Sequence, residues 1–186
     1  MAGGRGVRIA IVAGLLGLVA AAGLVGLGRR TPALAPDFAV TDLRGQAVRL
    51  SALRGKVVLL NLWTTWCAPC RQEMPSMERL YRRLEGRDFQ LLAVNQDEEG
   101  KRAVEPFVHE LHLTFPVLID PEHQVGDRYA VTGYPETFLI DRNGRVVEHV
   151  IGPRDWMAPE WLARLDTLIA APDVDAAGVP APPGPS

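Results

Sequence analysis

Cysteine is almost missing from this chain. Only Cys67 and Cys70 occur among its 186 residues, with two residues between them. So few thiols exclude a disulfide-stapled scaffold and a four-thiolate zinc site. The histidines nearest in sequence, His109 and His112, do not complete a mixed site, so no metal is expected. A basic stripe that could meet phosphates is also lacking, which argues against nucleic acid. No glycine-rich loop follows the apolar run at 57–63, so no nucleotide or other cofactor is expected. Charge is missing from residues 9–28, "IAIVAGLLGLVAAAGLVGLG", which Arg5, Arg8, Arg29 and Arg30 bracket. Twenty helical residues rise about 30 Å, the thickness of a bilayer's hydrocarbon core. Five glycines make a buried soluble helix a poor choice. Residues 1–30 therefore read as a membrane anchor. The competing reading is a cleaved signal peptide, with "AAA" at 20–22 as the cleavage site. Two arginines on each side leave the orientation open. An apolar period is lacking from 171–186, "APDVDAAGVPAPPGPS", which reads as a disordered tail. None of the 22 acids but four of the 20 basic residues precede residue 31, so the rest of the chain carries six more acids than bases. That mild acidity reads as solubility.

What is present, over residues 35–170, alternates between two periods. "DFAVTDLRGQAVRLSAL" predicts a hairpin about Arg44-Gly45. "KVVLLNLW" is a continuous β-branched and aliphatic run, the mark of a strand covered on both faces. A helix is expected from about Pro69 to Leu84, with Pro69 in the first turn, where its missing N–H does no harm, and a kink at Pro75. "FQLLAVN" predicts a second buried strand and "EEGKRAVEPFVHEL" a second helix. "FPVLID" predicts a short strand, followed by a helical "PEHQVGDRYA" with a wet charged face. "TFLID" and "VVEHVI" predict a hairpin about Asn143-Gly144, with His149 exposed on its second strand. "PEWLARLDTLIA" closes the domain as an amphipathic helix. This order gives the α/β class, a mixed sheet flanked by helices, with an N-terminal hairpin extension.

The two cysteines are better suited to redox chemistry than to structure. A bridge closing so short a loop removes unfolded-chain entropy worth only about 2 kcal/mol. Cys67 instead stands between a buried strand and the start of a helix, where free N–H groups and the helix dipole favour a thiolate. Cys70, one turn further on, is placed to resolve a mixed disulfide.

"WCAPC" between strand and helix resembles the thioredoxin superfamily. "APDF", "GKVVLLNLWTTWCAPCRQEMP", "FPVLID" and "YPETFLIDRNGRVV" are similar, in order and spacing, to the membrane-anchored TlpA/ResA/DsbE group of thiol–disulfide oxidoreductases. The resemblance implies a thioredoxin-like fold in which Cys67 attacks and Cys70 resolves. Pro135 takes the cis-proline position against Cys67, leaving the backbone of Tyr134 free to pair with a substrate chain, and Trp66 flanks the disulfide. The acid that thioredoxin buries six places before its first cysteine is Asn61 here. Two acids compete for the proton-handling role. Glu73 takes a position that is functional in ResA-like proteins, and Glu136 matches the DsbE-type "PETF" pattern. The plain alternative for each is a solvated surface acid.

The implied activity is reduction of partner disulfides on the periplasmic side of a bacterial cytoplasmic membrane. The implied partners are apocytochrome c or a copper-delivery protein of a respiratory oxidase, with a membrane thiol transporter of the DsbD/CcdA type as reductant. Two other classes compete. A peroxiredoxin-type peroxidase shares "PDF" and Thr64 three places before Cys67, but has proline where Leu60 stands. A copper chaperone would hold Cu(I) on the two thiols.

Overall fold

The computed structural model describes residues 32–172. The candidate anchor and the tail beyond residue 172 lie outside the described residues, among which no helix is long and apolar enough to cross a membrane. The strands are β1 (Ala39–Asp42), β2 (Ala47–Arg49), β3 (Val57–Trp63), β4 (Phe89–Asn95), β5 (Val117–Ile119), β6 (Glu136–Ile140) and β7 (Val146–Ile151). The helices are α1 (Ala68–Arg83), α2 (Lys101–Glu110), α3 (Gln124–Arg128) and α4 (Pro159–Ala170).

All strands join one sheet in the order β2-β1-β5-β4-β3-β6-β7. β3 runs parallel to β4 and antiparallel to β6. Every residue of β3 is buried, as its unbroken apolar run requires. Its odd-numbered side chains Val57, Leu59 and Trp63 meet Met74 and Met77 of α1, Phe107 of α2 and Leu165 of α4. Its even-numbered Val58, Leu60 and Leu62 pack with Phe38, Val125 and Tyr129 on the other face. Each fully buried leucine of this kind stabilises by about 1.5–3 kcal/mol. The mixed sheet flanked by helices is therefore as the sequence predicts.

The N-terminal hairpin is present, and β1 pairs with β5, so the extension lengthens the central sheet rather than standing apart. Its turn uses Gly45 at φ 79°, with Asp42 Oδ1 accepting from the N–H groups of Arg44 and Gln46, both at 2.8 Å. Some expected boundaries move. α2 begins at Lys101, three residues late, because Gly100 sits at φ 54° and breaks the first turn. α3 is only five residues long, since His123 adopts a left-handed φ of 57° and "PEH" forms a turn instead of helix. α1 is unbroken from Ala68 to Arg83 through Pro75.

Candidate active site

β3 ends at Trp63, and the buried Asp97 then ties down the segment before the cysteines. Thr65 donates to its carboxylate from both N–H (2.8 Å) and hydroxyl (3.0 Å), and Asn95 Nδ2 from 2.6 Å. Cys67 is the N-cap of α1, and its Sγ accepts a hydrogen bond from Cys70 N–H at 3.1 Å. The two sulfurs are joined in a disulfide. Cys67 is 5% exposed and Cys70 fully buried, so of the pair only Cys67 reaches the surface. Trp66 beside it is 72% exposed, an unusual position for an indole without a ligand.

Glu73 lies one helical turn beyond Cys70 and is 2% exposed, which rules out the solvated-acid reading. Its Oε1 accepts from Asn61 Nδ2 at 2.9 Å. Its Oε2 accepts from Trp156 Nε1 and from the Arg154 backbone N–H, each at 3.2 Å. Burial pushes the Glu73 carboxyl up to about 7, although these donors and the Arg154 charge pull the other way. The group therefore changes charge near neutrality. A cleft of about 480 Å³ between α1 and the loop after β7, bordered by Gln72, Ser76, Arg79 and Arg154, reaches Glu73 from solvent.

The Tyr134–Pro135 peptide bond is cis, and Pro135 is buried. The Tyr134 ring meets Trp66 edge-on at 5.9 Å between centroids, which brings this loop to the CxxC motif. No hydrogen bond among the described residues uses the N–H or C=O of Tyr134. Glu136, 1% exposed, turns its carboxylate toward Thr132, Gly133 and His149. Those donors hold the carboxyl below its usual range against the effect of burial, which pushes it up.

The structure thus joins Cys67 to Cys70 and Trp66 to Tyr134, but it separates the two acids. Thr137 bonds Asn61, which bonds Glu73, so the neighbouring Glu136 points to the opposite face of the sheet. Neither carboxylate hydrogen-bonds a sulfur. Thr64 makes no hydrogen bond with a sulfur either. Its buried hydroxyl has no partner among the described residues, and only its carbonyl meets Cys67 N–H, at 3.4 Å.

The profile of the AhpC/TSA family matches residues 33–149. A thiol-disulfide oxidoreductase ResA from Geobacillus kaustophilus is 49% identical over 118 residues, covering 63% of this chain and 67% of that protein. This chain is a ResA/DsbE-like member of the AhpC/TSA family. It is a thiol–disulfide oxidoreductase, with the CxxC pair as its redox motif. A Chlorobium tepidum crystal structure described as a thiol:disulfide interchange protein DsbE superposes with a TM-score of 0.69 and 34% identity, over 75% of this chain and 97% of that one. StoA from Bacillus subtilis gives 0.61 and 27%, over 70% and 99%.

Sequence reasoning missed three residues at the site. Asn61 was legible only as a missing acid, not as the donor to Glu73. Trp156 and Asp97 sit among the charged residues of "GPRDWM" and "NQDEEG". The one available signal was Trp156 itself, because an indole N–H in a short polar loop needs an acceptor when buried.

Proposed function

We propose that this oxidoreductase works as a reductant of protein disulfides outside the cytoplasm, held to the membrane by residues 9–28. The Cys67 thiolate attacks one sulfur of a partner's disulfide and expels the other as a thiolate. Cys70 then attacks Cys67 Sγ, forming the Cys67–Cys70 bond and releasing the partner's second sulfur. Two electrons pass from this dithiol to the partner, whose sulfurs take up the two protons. Trp66 and Tyr134, with Pro135 packed beneath them, form the site that receives the partner, with the free backbone of Tyr134 pairing with an extended chain.

The observation that carries this reading is the buried Glu73, one turn from Cys70 and close to its midpoint at neutral pH. A group so poised can hold the proton that Cys70 must lose before it attacks. Asn61 Oδ1, buried and without a partner among the described residues, suits the role. If the Asn61 amide turns over, that oxygen accepts from protonated Glu73.

Apocytochrome c fits as partner, because its haem-attachment cysteines must be reduced before ligation. A copper-delivery protein with a dithiol site is the alternative. A membrane thiol transporter of the DsbD/CcdA type would restore the dithiol.

Two measurements test the reading. The reduction potential of the full-length protein, read from Trp63 and Trp66 fluorescence in thiol–disulfide buffers, should fall near or below about −230 mV; a value near about −120 mV would reverse the direction of electron flow. Glu73→Gln should also slow partner reduction and remove the pH dependence of its rate near 7. An unchanged profile would end the proton-handling role.

A further inference from the structure

The exchange chemistry leaves one buried arrangement without a task. Glu136 Oε1 accepts from Thr132 N–H (2.9 Å), Thr132 Oγ1 (3.1 Å) and Gly133 N–H (3.1 Å). These residues lead directly into Tyr134. On its other side the Pro135 carbonyl accepts from Gly152 N–H at 2.9 Å. The loop is therefore clamped before and after Tyr134, and the Tyr134 N–H and C=O between the clamps are unused among the described residues. Among the described residues, the second oxygen, Glu136 Oε2, has one partner, His149 Nε2 at 2.7 Å. The His149 ring is itself held flat on Phe138, with centroids 4.2 Å apart and planes 9° apart.

We propose that His149, acting through Glu136, is a positioning residue that holds the Tyr134 backbone ready for the substrate chain. This rests on the reading that an extended partner segment pairs with Tyr134. Docking a chain on an edge that is already ordered spares the entropy of ordering it during binding. His149 suits the task because its Nε2 can donate to Glu136 both in the cation and in one neutral tautomer. Phe138 fixes the ring's plane, and the ring fixes the carboxylate that holds Thr132 and Gly133. Without His149 the carboxylate can rotate, and the three loop donors lose a fixed acceptor.

The test compares two substrates with the full-length protein, turned over with a small dithiol. One is a short peptide closed by an internal disulfide; the other is hydroxyethyl disulfide, which has no peptide backbone. His149→Phe keeps an aromatic ring on Phe138 and removes the donor. It should raise KM for the peptide about tenfold, the scale of one hydrogen bond to a charged group, with kcat changed by less than about twofold. The rate with hydroxyethyl disulfide should fall far less. His149→Gln, which can still donate to Glu136, should restore most of the peptide KM. Equal losses on both substrates, an unchanged peptide KM, or a Gln variant no better than Phe would each overturn the clamp. A wild-type protein that handles both disulfides alike would instead overturn the pairing of substrate with Tyr134, before any variant is made.

Discussion

Glu73, beneath the CxxC helix, and Glu136, beneath the loop on the opposite sheet face, are nearly equally hidden, at 2% and 1% exposure. Their carboxyls nonetheless move in opposite directions, Glu73 up to about 7 and Glu136 down. Two differences account for this. Glu73, on α1, faces inward against Asn61 of β3 and Trp156, whereas the groups that hold Glu136 are the exposed Thr132, Gly133 and His149. Glu136 also meets four donors, one on a ring that can carry charge, where Glu73 meets three neutral ones. Depth sets the desolvation cost of the anion, and donors decide whether it is offset. One acid is left able to exchange a proton, the other held as a fixed anion that shapes a loop.

The largest effect expected from this contrast is on stability against pH. The folded-state carboxyl of Glu73 is raised above its unfolded value, so its contribution is fully present below about pH 4.5 and lost as pH climbs to about 7. A shift of that size corresponds to about 3 kcal/mol. Glu73→Gln should be the more stable protein above pH 7, by up to about that amount, and should lose its advantage toward pH 4. Urea melts at a series of pH values check this. Parallel curves for the two proteins would mean that the Glu73 carboxyl is not raised in the folded state.

Glu136→Ala should act with the opposite sign and a smaller size. It leaves the N–H groups of Thr132 and Gly133 without their acceptor, at a cost of about 2 kcal/mol near neutral pH. Because the folded Glu136 carboxyl is lowered, its contribution is present above about pH 4.5 and lost as pH falls through the folded value. The gap between wild type and variant should therefore narrow toward pH 3. A constant gap across the same series of melts would make Glu136 a mere space-filler.

This contrast was only half legible in the sequence. β3, the hairpin turns at Gly45 and Gly144, α4 and the placing of Cys67 at a helix start follow from local period and turn chemistry, which the chain displays openly. The two acids looked interchangeable, because each stands near the motif and each has a surface alternative. What separates them are partners far along the chain. Trp156 lies 83 residues from Glu73, and His149 reaches Glu136 only because β7 folds back on β6. His149 was expected as an exposed strand residue, and part of its ring is exposed. Its stacking on Phe138 and its bond to Glu136 depend on strand register, which no local pattern of "VVEHVI" reveals.

Arg154 offers the smallest and most selective test of the comparison. Its backbone N–H and its charge both favour ionised Glu73, but only the charge belongs to the side chain. The guanidinium turns back to the Pro153 carbonyl at 2.8 Å, at the border of the solvent-filled cleft, where salt screens it. Arg154→Ala keeps the N–H donor and removes the charge, so the Glu73 midpoint should rise by only a few tenths of a pH unit, roughly 0.5 kcal/mol or less. Carboxyl ¹³C chemical shifts followed against pH would read this directly, and added salt should shrink the difference between the proteins. The Glu136 resonance should not move, because Arg154 lies on the other side of the sheet. A shift of both acids together would show that the two faces are electrostatically coupled, and the division of labour between Glu73 and Glu136 would then fail.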